Sequence, residues 1–210
     1  LCGVEKAIAV GSDRMKPIIR AAIMLLILGA ATPSTAGDET MLAELESACD
    51  ADDFSACDAL GNRLMGTSPD EAGKARIAKL FEKSCNGGYL GGCGDLSVLY
   101  DLGYGVPLDE AKSHGLQLMA CEGGHGLSCS GVGHDYLQGR GVEKDKAKAV
   151  PWFAKGCALD NKASCLSLGK SHEWGDGVPA DKAKAREYYT KACDLGERSG
   201  CDALKWVQGE

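Results

Sequence analysis

The stretch CEGGHGLSCSG, residues 121–131, sets two cysteines eight positions apart around a glycine-rich turn. Such a pair can serve as metal ligands, as a redox couple, or as a disulfide staple between two helices. The wider cysteine pattern decides among them. Of the 11 cysteines in the 210-residue chain, ten form a lattice. One series is Cys49, Cys85, Cys121, Cys157 and Cys193, and the other is Cys57, Cys93, Cys129, Cys165 and Cys201. Each series advances by 36 residues, and the two are offset by 8. A fixed period of this length marks a repeat protein. Cys2 alone lies off the lattice.

The N-terminal residues bear on compartment. From Met15 the chain reads MKPIIRAAIMLLILGAATPSTAGDET, with Lys16 and Arg20 ahead of an apolar run from Ala21 to Ala31. Ser34 and Ala36 place small side chains where a signal peptidase reads them, so 15–36 is expected to be a signal peptide cleaved after Ala36. The apolar run falls short of the roughly 20 residues that span a bilayer, although an N-terminal anchor is the rival reading. Residues 1–14 would sit oddly ahead of a signal peptide and suggest an overextended gene start. Residues 37–210 would then be the mature chain, with repeats beginning at 49, 85, 121, 157 and 193. Export, to the periplasm or beyond the cell, meets an oxidising setting in which disulfides persist.

Charge excludes some partners. The whole chain carries a net charge of −7, and residues 37–210 hold 19 Lys/Arg against 28 Asp/Glu, a net of −9. Nothing in that balance favours nucleic acid or an anionic membrane surface. No stable membrane insertion is expected after signal cleavage.

Aligned on the cysteines, each repeat reads as a glycine-rich turn, a helix, a G-x-G-V loop and a second helix. The loop is GYGV at 103–106, GRGV at 139–142 and GDGV at 175–178. Asp109, Asp145 and Asp181 follow three residues after the valine, placed to cap the second helix. The first repeat departs from this, with GTSPDEAGKAR at 66–76 and Gly73 at the capping position. Apolar columns mark the expected core: Leu60, Leu96, Val132, Leu168 and Leu204 in the first helices. In the second helices, Leu116, Trp152 and Tyr188 form one column, and Phe81, Gln117, Phe153 and Tyr189 form the next. Pro151 inside a second helix predicts a kink or a late start.

A cysteine pair then brackets the turn between one repeat's second helix and the next repeat's first. In a helical hairpin, positions equidistant from the turn face each other, so an offset of eight is bridgeable. The expected pairs are Cys49–Cys57, Cys85–Cys93, Cys121–Cys129, Cys157–Cys165 and Cys193–Cys201. Each closes a loop of about nine residues, worth roughly 2.5 kcal/mol by loop entropy. Zinc, the alternative, prefers closely spaced cysteine pairs and four ligands per site.

The repeat resembles the Sel1-like repeat, a relative of the tetratricopeptide repeat. VGHDY at 132–136 and LGKSH at 168–172 occupy its L-G-x-x-Y core, with His172 in place of the family tyrosine. GRGVEKDKAKA at 139–149 and GDGVPADKAKA at 175–185 match its loop and second-helix start. The cysteine lattice resembles the exported cysteine-rich branch often labelled beta-lactamase-like. The resemblance implies an all-α fold: a right-handed α/α solenoid of about 4.5 disulfide-locked helix-pair repeats.

Two functions follow from different classes. The first is a scaffold that binds a protein or peptide in a groove lined by the first helices. Its expected contacts are Asn62, Asp101, His134, Lys170, Glu173 and Trp206. They come from the rows Asn62, Val98, His134, Lys170, Trp206 and Met65, Asp101, Leu137, Glu173; a third row is Asp58, Gly94, Ser130, Leu166, Asp202. The second is the lactam-directed hydrolase or binder that the family label implies. Serine enzymes of that chemistry need S-x-x-K, S-D-N and K-T-G, and only Ser167–Lys170 supplies one of these. His114, His125, His134 and His172 lack the clustering of a zinc site. The sequence therefore leans away from an enzyme, assigns no catalytic residue, and calls for no metal or cofactor.

Overall fold

The structure, a computed structural model, describes residues 33–67 and 69–208. The expected signal peptide thus falls almost wholly outside the described residues, and residues 33–36 are helical. The chain divides into two parts, residues 1–43 and 44–210. Helix α1 (Pro33–Asp50) supplies the described residues of the first part and opens the second.

Four helix pairs follow. They are α2 (Phe54–Met65) with α3 (Glu71–Asn86), α4 (Leu90–Leu102) with α5 (Glu110–Glu122), α6 (Gly126–Gln138) with α7 (Lys146–Ala158), and α8 (Lys162–Trp174) with α9 (Lys182–Asp194). A lone α10 (Arg198–Gln208) ends the series as a first helix without its second. No strand occurs among the described residues. From α2 onward each helix packs on its neighbours in the chain, which is the nearest-neighbour logic of a solenoid.

Local chemistry sets the boundaries. Asp109, Asp145 and Asp181 each accept hydrogen bonds from backbone N–H groups at the start of α5, α7 and α9. In the first repeat Asp70, not the Gly73 position, does this, accepting from the Gly73 N–H at 2.8 Å. That earlier carboxylate lengthens α3 to 16 residues against 13 for its counterparts. Pro151 causes no late start, since α7 begins at Lys146 under the Asp145 cap. Pro151 and Ala147 are both exposed, so water can satisfy the Ala147 carbonyl that lacks its helical donor.

The G-x-G loop has two distinct needs. Gly103, Gly139 and Gly175 close the first helices in the left-handed conformation. Gly105, Gly141 and Gly177 also have positive φ, and each lies against the preceding repeat's second helix. A Cβ there would come 2.3, 2.2 and 2.2 Å from the carbonyl oxygens of Lys74, Glu110 and Lys146. Only glycine lets those backbones meet.

The disulfides are Cys49–Cys57, Cys85–Cys93, Cys121–Cys129, Cys157–Cys165 and Cys193–Cys201, with Cα separations of 4.5–4.6 Å. Leu60, Leu96, Val132 and Leu168 are buried, whereas Leu204 on α10, the last described helix, is only half-buried. Phe81, Gln117, Phe153 and Tyr189 form the buried column of the second helices. Leu116, Trp152 and Tyr188, one position earlier, are half-buried and flank the core rather than fill it.

Candidate functional site

Within the first, third and fourth repeats, an aromatic ring of the second helix packs on a glycine of the first. Phe81 meets Gly61, Phe153 meets Gly133, and Tyr189 meets Gly169, each so close that a Cβ would lie 2.4–2.6 Å from a ring carbon. The second repeat changes both partners, placing Ser97 at the glycine position and Gln117 at the aromatic one. Gln117 does not occupy the space a ring would fill. It extends into the third repeat, where a Cβ on Gly131 would fall 1.5 Å from its Oε1.

An opening lies beside Gln117. Helices α2 and α4 pack directly, as do α6 and α8; α8 and α10 stand further apart, and so do α4 and α6. Between them lies a cavity of about 450 Å³. Asp95, Ser97, Val98, Asp101 and Leu102 of α4 form one wall. Leu127, Ser128, Gly131 and His134 of α6 form the other, with Gln117, His125 and Arg140 completing the lining. Val98, Leu102 and Leu127 are 45%, 65% and 61% exposed, making an apolar rim around a polar interior. Two other hollows occur elsewhere. One, of about 490 Å³, is lined by Phe54, Lys79 and Lys83 among others; the other holds Trp152, Tyr136, Lys148 and Lys155.

The electrostatics of the cavity follow from burial. His125 is held below its ordinary pKa by burial, against a weaker opposing pull from Asp95, and its Nδ1 lies 2.8 Å from Ser128 Oγ. His134 is lowered by burial and by the Arg140 and Lys170 charges. Both imidazoles are therefore neutral at neutral pH. Arg140, the variable residue of the third G-x-G-V loop, reaches Asp135 Oδ1 at 2.9 Å and Asp101 Oδ2 at 3.4 Å. Asp135 is itself 1% exposed and lies 2.9 Å from His114 Nδ1. Burial pushes the Asp135 carboxyl up, with His114 and Arg140 pulling the other way.

A second carboxylate contact joins α2 and α4 beside the cavity. Asn62 Nδ2 donates to Asp58 Oδ2 at 3.1 Å and to Asp95 Oδ2 at 2.7 Å. Burial, then the Asp95 charge, pushes the Asp58 carboxyl up to about 6.

The residues expected from sequence scatter over this face. Asp101 and His134 line the cavity, and Asn62 touches it through Asp95. Lys170 on α8 is half-buried and close enough to His134 to lower its pKa. Glu173 is committed elsewhere, accepting a hydrogen bond from the Tyr189 hydroxyl at 2.5 Å. Met65 and Leu137, of the same row, pack against core clusters. Trp206 lies on α10, 77% exposed. Ser167 Oγ sits 3.4 Å from His134 Nε2, one turn before Lys170. Sequence reasoning missed Asp95, Gln117, His125 and Arg140. The signal for Gln117 was a polar residue in an otherwise aromatic column.

The Sel1 repeat family model matches residues 92–125, 127–161 and 162–197, half of the chain. The chain belongs to the Sel1 repeat family. Solved structures of similar proteins agree. It is 28% identical to c5321, a protective antigen present in uropathogenic Escherichia coli strains, over 79% of this chain and 36% of that one, with a TM-score of 0.71. A Sel1 repeat protein from Oxalobacter formigenes shares the fold at 20% identity, a TM-score of 0.71, and coverage of 79% and 66%. Cysteine rich protein B of Helicobacter pylori is 28% identical over 65% of this chain and 98% of its own, with a TM-score of 0.54. The chain thus spans about a third of c5321 and two thirds of the Oxalobacter protein. Among curated proteins, none matches it.

Proposed function

We propose that this Sel1 repeat chain is an exported, disulfide-stapled scaffold that binds a protein or peptide segment along its first-helix face. The observation that carries this is the cavity between α4 and α6, because it opens on that face and combines an apolar rim with unfilled polar capacity. Pockets of about 300–1,000 Å³ with a few convergent polar groups are the usual form of a recognition site. Asn62, Asp101, His134, Lys170 and Trp206 extend the contact surface along successive first helices, and Glu173 borders it. Five local disulfides support an oxidising compartment. No helix among the described residues is long and apolar enough to cross a membrane.

The test is a peptide-library selection on the oxidised chain, followed by affinity measurement on the selected sequences. Replacing Lys170 and Trp206 together by alanine should weaken binding at least tenfold, while Lys148→Ala on α7 leaves it unchanged. That loss corresponds to about 1.4 kcal/mol, the scale of one strong contact. Equal binding by the double variant removes Lys170 and Trp206 from the surface.

A hydrolase is the alternative reading, supported by the Ser167, His134 and Lys170 grouping. Turnover of a chromogenic cephalosporin that Ser167→Ala abolishes would establish it over the scaffold.

A further inference from the structure

Gln117 is 6% exposed, and its Nε2 donates to Ser113 Oγ at 3.3 Å. No hydrogen bond from a described residue reaches its Oε1, which lies at the Gly131 side of the cavity. That oxygen is an acceptor available to a donor that enters from outside. The carboxylates on the lining point to the same kind of visitor. Asp95 accepts one bond from Asn62, and Asp101 holds Arg140 only at 3.4 Å, so both keep acceptor capacity. The cation on the lining, Arg140, is already committed to Asp135 and Asp101. His125 and His134 add no charge, because burial keeps them neutral. The vacant interior is therefore acceptor-rich and net negative.

The rim adds a shape requirement. Val98, Leu102 and Leu127 surround the opening with exposed hydrocarbon. A long aliphatic stem ending in a donor-rich cation satisfies both zones, as arginine and lysine side chains do when they bury their stems and keep their heads hydrogen-bonded. An acidic side chain would face the Asp95 and Asp101 carboxylates, so like-charge repulsion selects against it.

Resting on the scaffold reading above, we propose that the cavity between α4 and α6 receives an arginine or lysine side chain of the bound polypeptide. Gln117 Oε1, Asp95 and Asp101 are the acceptors for its charged end. The second repeat thereby uses the space of its missing aromatic ring as a socket.

The experiment titrates acetyl-Gly-Ser-Arg-Ser-Gly-amide into the full, oxidised, isotope-labelled chain and follows it by NMR. Matched peptides carry lysine, citrulline, leucine or glutamate in place of arginine. Saturable shifts of the Gln117 side-chain amide and of the His125 and His134 rings are expected with arginine and lysine. Citrulline should bind at least fivefold more weakly, and leucine and glutamate should give no saturable shift. Asp95→Asn should weaken the arginine peptide at least fivefold. Ser97→Gly with Gln117→Phe, which rebuilds the ring-on-glycine packing, should abolish its binding. The proposal fails if glutamate seats as well as arginine, if arginine gives no saturable shift, or if Asp95→Asn binds as the parent chain. Selected polypeptides that still occupy the first-helix face in that event leave the scaffold reading standing and sink only the socket.

Discussion

The second and third repeats share a backbone plan and differ inside. In the third, Phe153 packs on Gly133, with Ala149 buried nearby. In the second, the equivalent positions are Gln117, Ser97 and Ser113, all buried and all polar, joined by buried His114 one residue on. Polar side chains in a low-dielectric interior must find partners. Ser97 and Gln117 find theirs within the repeat, at the Gly94 carbonyl and Ser113, whereas His114 crosses the boundary to Asp135. The third repeat thus packs for stability, whereas the second gives up packing for an open, hydrogen-bonding cavity. The disulfides do not follow this division, since Cys121–Cys129 and Cys157–Cys165 have Cα separations of 4.6 and 4.5 Å.

The largest test of that contrast is truncation at the shared column. Phe153→Ala should cost about 3–5 kcal/mol in chemical denaturation, by lost burial and the cavity it leaves. Gln117→Ala, at the matching place, should cost only about 1 kcal/mol, the net value of one ordinary hydrogen bond. Comparable losses at both positions would mean that the second repeat is as tightly packed as the third.

Staples come next. Removing Cys121–Cys129 or Cys157–Cys165 by paired serine substitution should each destabilise the chain by about 2.5 kcal/mol, because the closed loops are of equal length. Thermal melts should fall by roughly 5–10 °C in both cases. A loss confined to one pair would show that packing, rather than loop closure, sets the contribution.

The repacking variant Ser97→Gly with Gln117→Phe should move the other way. Restoring the ring-on-glycine contact should raise stability by about 1–2 kcal/mol if the second repeat can adopt the third repeat's interior. A lower melting temperature would instead show that the polar links to Asp135 fix the spacing of α4 and α6.

The smallest effect concerns the junction of the first two repeats. The Asp58 carboxyl is raised to about 6 from an ordinary value of 3.8, so the native state binds its proton more tightly than the unfolded chain does. Its ionisation therefore destabilises the fold, fully above about pH 6, and the penalty fades as pH falls toward 3.8. Asp58→Asn should melt about 2 °C higher than the parent chain at pH 7.5, a modest shift because water reaches part of the side chain. The difference should vanish near pH 4. An unchanged difference across that range would remove Asp58 as the titrating group.

The sequence by itself determined the period, the helix pairs, the caps and the staples. All of these are local: a 36-residue spacing, an aspartate ahead of a helix, two cysteines equidistant from a turn. It left the first repeat's cap unassigned, because alignment by period falls on Gly73, whereas the Asp70 carboxylate accepts from the Gly73 N–H. Row arithmetic put Glu173 among the expected contacts, and the structure adds that it accepts a hydrogen bond from the Tyr189 hydroxyl. Only the tertiary structure decided where the face opens. Gln117 was legible as an odd member of an aromatic column, but its reach past its own repeat to Gly131 was not. Nor was the meeting of Arg140 with Asp101, 39 residues away on another helix. Such contacts depend on how far apart two stacked helices settle, and that spacing is set by the packing of the whole interior rather than by any local signal.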